Sequence, residues 1–359
     1  MRRRNLTFSF LLFASMAVVI PLLIFSYRAT SQTRERTVNA NRNSGLISQN
    51  DAGATPASQE VVKVDVDLVK VDALVLQKDT ARIVGDLKKE DFLIYEDGTR
   101  QEITHFSQDS LPLSVILLID RGGCLDPYGD EVHRAAREAI DRLKIVDEVA
   151  VMSYHSTTTM VQRFTRNRML IEEALNRIPP HEEEAGHCLN KVMSDAASYL
   201  IEAANPVGRR VVIVITGVTR AFDCLDGPSG KSAAQAIFES GAVVCGIIPK
   251  NPVQGLENGM MIWATRMGKL GRAPYTDLQT LANETGGEIL SDQAGKLETT
   301  FQTLIDHLRS RYNLAFVSTN KTRDGSIRKL KLDVTAPPNQ PAKSKLVVKA
   351  RRTYVAPKG

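Results

Sequence analysis

LPLSVILLIDRGGCLD, residues 111–126, decides the fold. Five apolar residues, Val115 to Ile119, lead to Asp120, and the chain then turns through Arg121, Gly122, Gly123 and Cys124. A half-solvated strand alternates apolar and polar residues, so an unbroken run of this length reads as a strand buried on both faces. Its terminal carboxylate sits where open α/β sheets hold their ligands, just beyond the carboxyl ends of the strands.

Downstream the same grammar repeats. YGDEVHRAAREAIDRLK (128–144) carries Val132, Ala135, Ala139, Ile140 and Leu143 at helical spacing. EVAVMSYH (148–155) and TMVQRF (159–164) read as strands, NRMLIEEALNRI (167–178) and LNKVMSDAASYLIEAA (189–204) as helices. RRVVIVITG (209–217) and AVVCGIIP (242–249) are further buried strands, with SAAQAIFES (232–240) a helix between them. TDLQTLANETGG (276–287) is a helix that ends in glycine. Strands apolar on both faces, alternating with helices, predict an α/β fold with a doubly wound, mostly parallel sheet.

Both flanks of this block read as β. In residues 60–110, Val62, Val64, Val66 and Val69 begin an alternating strand, and Asp97-Gly98 turns a hairpin between Phe92–Ile94 and Ile103–Phe106. In residues 311–359, YNLAFVST, SIRKLKLDVTA and AKSKLVVKARRTYVA are strands separated by TRDGS and PPNQP. The two flanks are expected to pair as one small β module into which the α/β domain, residues 111–310, is inserted.

Ahead of them, residues 29–59 are polar with no apolar periodicity and read as a flexible linker. Residues 1–28 read as a targeting or anchoring segment. MRRRN is basic, residues 6–27 carry no charge, and no small-x-small cleavage site precedes Ala29. A run of that length can span a bilayer as a transmembrane helix, and the arginines stay on the cytoplasmic side. A retained signal anchor is the first reading and a cleaved signal peptide the second. Either way the body lies outside the cytoplasm, in the periplasm or extracellular space, and is secreted if the segment is cleaved. The net charge of +5 over 359 residues is mild and partly due to Arg2, Arg3 and Arg4, so no nucleic-acid footprint is expected.

The chain resembles the von Willebrand factor type A fold, in particular the related domain of acidobacterial secreted proteins. The resemblance spans roughly residues 60–357 and rests on LKKEDFLIYEDGTRQEITHFS, LPLSVILLID, DLQTLANETGG and ARRTYVAP. It implies a protein-binding domain with a magnesium site at the strand ends. The ion is held by D-x-S-x-S after the first strand, a threonine before the third helix and an aspartate after a later strand, and a partner's carboxylate can complete the octahedron. Asp120 matches the first aspartate. The two serine positions fall on Gly122, which has no donor, and on Cys124, a soft ligand. The threonine position falls on Lys191 and the aspartate position on Gly217. The site is therefore expected to be degenerate, with no magnesium bound, and no cofactor is expected. Asp120 is expected to pair with Arg121 or Lys191, or to accept backbone N–H bonds from the glycine turn.

Cys124, Cys188 and Cys224 fall on the three loops that would surround that ion. In an oxidising compartment two of them can form a disulfide, and the sequence leaves the three pairings open. Cys245 reads as a buried core thiol. The alternative is a zinc- or cysteine-dependent enzyme that uses Cys124, His187, Cys188 and Cys224 with Asp120, but the spacing matches no recognised zinc pattern. A nucleophilic Cys124 would need His187 within reach and an oxyanion hole. Met260, Met261 and Trp263 read either as a short helix tucked into the core or as an apolar partner patch. HEEE (181–184) reads as a solvated loop. Lys343, Lys345, Lys349, Arg351 and Arg352 read as a charged edge strand that blocks aggregation. Taken together, the sequence points to a non-enzymatic, membrane-anchored binding or assembly domain with a protein partner and no small-molecule substrate.

Overall fold

The computed structural model describes residues 68–125, 128–178, 186–250, 274–335 and 345–359. The anchor, the linker, residues 60–67, HEEE, Met260, Met261, Trp263 and Lys343 lie outside the described residues. Among the described residues no helix is long and apolar enough to cross a membrane.

The α/β body starts with β5 (Leu113–Asp120), in which every residue is buried, and continues with α1 (Gly129–Asp141), β6 (Glu148–Tyr154), β7 (Thr158–Thr165), α2 (Arg168–Asn176) and α3 (Leu189–Tyr199). It goes on through β8 (Arg209–Ile215), β9 (Arg220–Phe222), α4 (Gly230–Ser240), β10 (Val243–Pro249) and β11 (Tyr275–Asp277). It closes with α5 (Leu278–Thr285), β12 (Ile289–Asp292) and α6 (Leu297–Arg309). The described central sheet runs β12–β10–β8–β5–β6–β7. All its neighbours are parallel except the β6–β7 pair at one edge.

Alternate residues of β5 and β8 feed two cores. Val115, Leu117, Ile119, Val211, Ile213 and Ile215 pack with α1, α2 and α6 on one face. Ile116, Leu118, Val212 and Val214 pack with α3, α4 and α5 on the other. This is why the strands read as continuous apolar runs. Side-chain caps fix three of the helix starts. Asn167 accepts from the Met169 N–H, Ser229 from Ser232 and Asp277 from Thr280. Gly286 ends α5 with φ of 78°, a conformation that glycine adopts without the Cβ penalty.

β12 and α6 carry no expectation from the sequence. The signal is present: Leu297, Phe301, Leu304, Ile305 and Leu308 lie on one buried face of α6 at helical spacing.

The flanking segments supply β1 (Leu68–Gln77), β2 (Phe92–Glu96), β3 (Thr99–Gln101) and β4 (Ile103–Ser107) before the body. After it come β13 (Tyr312–Val317), β14 (Ile327–Val334), β15 (Leu346–Ala350) and β16 (Thr353–Val355). They form two antiparallel sheets, β15–β1–β13–β4 and β16–β14–β2–β3, each mixing strands from both ends of the chain. Val71, Val75, Phe92, Ile94, Tyr312, Phe316 and Leu330 close a shared core between them. The result is a sandwich rather than a single sheet. β15 is an edge strand, but its basic residues do more than blunt it, since the Lys349 ammonium pairs with Glu288 at 3.0 Å.

Arg209 ties the sandwich to the amino ends of the parallel strands. Its Nε donates to Asp72 Oδ2 at 2.8 Å and its Nη2 to Asn313 Oδ1 at 2.8 Å, and Nη1 donates to the Leu308 carbonyl. Burial opposes the Asp72 charge, yet Arg209 holds the carboxyl below its ordinary range.

Candidate functional site

The site forms at the opposite, carboxyl end of the sheet, where β5, β6 and β8 deliver Asp120, Tyr154 and Thr216 side by side. Parallel strands end together on one rim, so residues distant in sequence converge there. The Asp120 side chain is wholly buried. His187 Nδ1 lies 3.0 and 2.9 Å from its two carboxylate oxygens. Thr216 Oγ1 donates to Oδ2 at 2.6 Å, the Tyr154 hydroxyl donates to Oδ2 at 3.1 Å, and the Gly122 N–H donates to Oδ1 at 2.8 Å.

Burial alone would neutralise this carboxyl, but the bonds from His187, Thr216 and Gly122 hold its pKa below the ordinary value. An ionised carboxylate only accepts, so His187 Nδ1 is the donor of the pair. Burial pulls His187 down and the Asp120 carboxylate more than compensates, so the imidazole is raised. Tyr154 is pushed well up by burial and by the charge of Asp120, and stays a neutral donor.

The sequence expectations meet this geometry unevenly. The glycine turn does supply a backbone N–H to Asp120. Lys191 does not pair with Asp120: its ammonium bonds Asp226 Oδ2 at 2.7 Å, because α3 carries the side chain toward the loop after Cys224. Arg121 is buried, and its backbone N–H donates to the Tyr154 carbonyl at 2.7 Å. Gly122 has a positive reason to be glycine. A Cβ there would stand 2.5 Å from His187 Cε1 and Nδ1, so the imidazole ring occupies that space.

Among the three rim cysteines, Cys188 and Cys224 form a disulfide. This corrects the four-residue zinc or catalytic set, since two of its sulfurs are consumed in one covalent bond. The bridge joins the start of α3 to the loop before α4. Asn190 clamps the same loop, donating to the Cys224 carbonyl at 3.0 Å and the Pro228 carbonyl at 2.7 Å, and accepting from the Cys224 N–H at 3.0 Å. Cys124 keeps its thiol, buried beneath the rim, and accepts from the Gly217 N–H at 3.1 Å. Burial first and the Asp120 charge second push that thiol far above its ordinary value, which opposes the thiolate a nucleophile needs. Cys245 is buried in β10 and likewise pushed up, to about 11, mainly by burial.

Tyr154, Thr216 and Asn190 carry no expectation from the sequence. Tyr154 and Thr216 had a usable signal, because both end or follow a buried parallel strand.

With the sheet order and the helices on both faces described, the class is defined: the α/β body is a doubly wound, mostly parallel sheet, the arrangement that the resemblance to the von Willebrand factor type A fold implies. No family model and no curated protein matches the chain. Among solved structures it is similar to an aerotolerance-related membrane protein from Bacteroides fragilis, at 15% identity and TM-score 0.39, over 55% of this chain and 98% of that one. It is similar to a von Willebrand factor type A protein from Catenulispora acidiphila at 11% identity and TM-score 0.40, over 81% of this chain and 75% of that one. A third is proximal thread matrix protein 1 from the mussel byssus, at 13% identity and TM-score 0.41, over 56% of this chain and 49% of that one. The present chain thus matches about half the length of the byssus protein.

Proposed function

We propose that the chain is a non-enzymatic protein-binding or assembly module of the extracytoplasmic space, anchored by residues 1–28, whose rim recognises its partner without a magnesium bridge. The observation that carries this reading is the state of Asp120. Magnesium demands near-ideal octahedral oxygen coordination. The one carboxylate at the family's ion position already accepts from His187, Thr216, Tyr154 and Gly122. The remaining positions offer a glycine filled by an imidazole ring, a soft sulfur, an ammonium held by Asp226, and Gly217, which has no side-chain donor. The His187 imidazole, its proton held more tightly beside Asp120, therefore stands where a cation stands in the family's design.

Two further features support the reading. The Cys188–Cys224 disulfide belongs to an oxidising compartment, in line with an exported body. The buried Cys124 thiol, far from ionisation, supports a non-catalytic rim.

The test is partner capture from a native membrane fraction, run with EDTA, with magnesium restored, and with Lys191→Glu on the rim. Capture that survives EDTA and falls with Lys191→Glu supports the proposal. Capture that EDTA abolishes and magnesium alone restores overturns it.

A further inference from the structure

We propose that Asp120, Cys124 and His187 form a binding site for a borderline-soft divalent cation of the zinc class, distinct in donors and in metal preference from a magnesium site. One ligand atom from each of the three, a carboxylate oxygen, Sγ and an imidazole nitrogen, lies within 4.8 Å of the other two. Sulfur, nitrogen and oxygen together make a donor set that suits zinc and penalises magnesium. Tetrahedral zinc bonds of about 2.0–2.3 Å set ligand atoms roughly 3.3–3.7 Å apart, so His187 Nδ1 and the Asp120 oxygens, now 2.9–3.0 Å apart, must open slightly while Cys124 Sγ closes on them. Cys124 sits on a glycine turn, next to Gly123 at φ of 86°, whereas Asp120 ends a rigid central strand, so the sulfur is the donor placed to move.

The surroundings resemble the outer shell of a metal centre. The Gly217 N–H already points at Cys124 Sγ at 3.1 Å and would stabilise a thiolate. Thr216 and Tyr154 donate to Asp120 Oδ2, which fixes the carboxylate. Such outer partners orient ligands and raise metal affinity. The Cys188–Cys224 disulfide removes the other two rim sulfurs from competition and fixes the residue next to His187. His187 is the accessible member, with 24% of its side chain exposed against none for Asp120, and gives the ion a way in. Three protein ligands leave a fourth position for water, as open zinc sites have. Zinc would then take the place of the proton that His187 and Asp120 share.

The proposal goes beyond the magnesium-free rim but rests on the same Asp120 geometry, so its test uses separate readouts. Metal-free protein with its disulfide intact is titrated with zinc by calorimetry and with cobalt by absorption spectroscopy. The expected result is one zinc per chain and a cobalt spectrum with a thiolate charge-transfer band. Cys124→Ser should abolish that band, and Cys124→Ser and His187→Ala should each weaken zinc by about 10-fold or more, with unchanged far-ultraviolet circular dichroism. Absence of stoichiometric zinc, or zinc binding indifferent to both substitutions, overturns the proposal. A parallel magnesium titration separates the two readings: magnesium binding sinks the proposed function, and a zinc failure alone leaves it standing.

Discussion

At the amino ends of the parallel strands, Arg209 commits its whole guanidinium to Asp72, Asn313 and the Leu308 carbonyl, and so joins the body to the sandwich. At the carboxyl ends, Asp120 is just as buried, but its partner His187 is an imidazole that reaches solvent and, unlike an arginine, can release its proton. Arginine cannot give up its proton, so the lower junction is permanent. The upper pair rests on a group that can release its proton. One end of the sheet therefore serves architecture, and the other presents a group that protons can adjust.

The largest effect should come from breaking the lower junction. Arg209→Ala takes from the half-buried Asp72 its hydrogen-bonded partner, leaves only the more distant charges of Arg311 and Arg351, and is expected to cost about 2–4 kcal/mol, read as a lowered urea midpoint. Losing the rim disulfide comes next. Cys188→Ser with Cys224→Ser releases a loop of separation 36, a loss of roughly 2–4 kcal/mol by the same measurement. Gly122→Ala should be smaller, about 1–3 kcal/mol, because the new methyl displaces the imidazole ring and not a backbone segment. Its sharper readout is the His187 titration followed by NMR, where the elevated pKa should fall back as the ring leaves Asp120.

The dependence on pH should be the mildest effect: both ends hold a depressed carboxylate and so share an acid limb, and only the rim adds an alkaline one. Asp72 is held low against burial by Arg209, and Glu288 is held low against burial by His307 and Lys349. Their stabilisation is full above the ordinary carboxylate range and is lost as pH falls through their depressed values. His187 is raised, so its stabilisation is full below the ordinary imidazole range and is lost as pH rises through its elevated value. Thermal melts across pH should show both limbs, and His187→Ala should remove the alkaline limb and weaken the acid one by the part that Asp120 contributes.

How much of this was legible in the sequence follows from range. The unbroken run from Val115 to Ile119 and the caps and glycines of TDLQTLANETGG act locally, so the central strands and most helices can be read directly. β12 and α6 escaped although Phe301, Leu304, Ile305 and Leu308 carry the helical period. At the site, the sequence shows directly that Gly122, Cys124 and Gly217 bring no side-chain oxygen. It does not show the side chains that surround Asp120, because His187 is 67 residues away and reaches it from the loop that leads into α3. The sequence also left three cysteine pairings open, since loop proximity in space decides among them.

The most direct test of the account is a calorimetric titration of magnesium into metal-free protein, alongside Asp120→Asn. The account predicts no stoichiometric heat through the millimolar range in either protein. A single magnesium site present in the natural chain and absent in Asp120→Asn would contradict it.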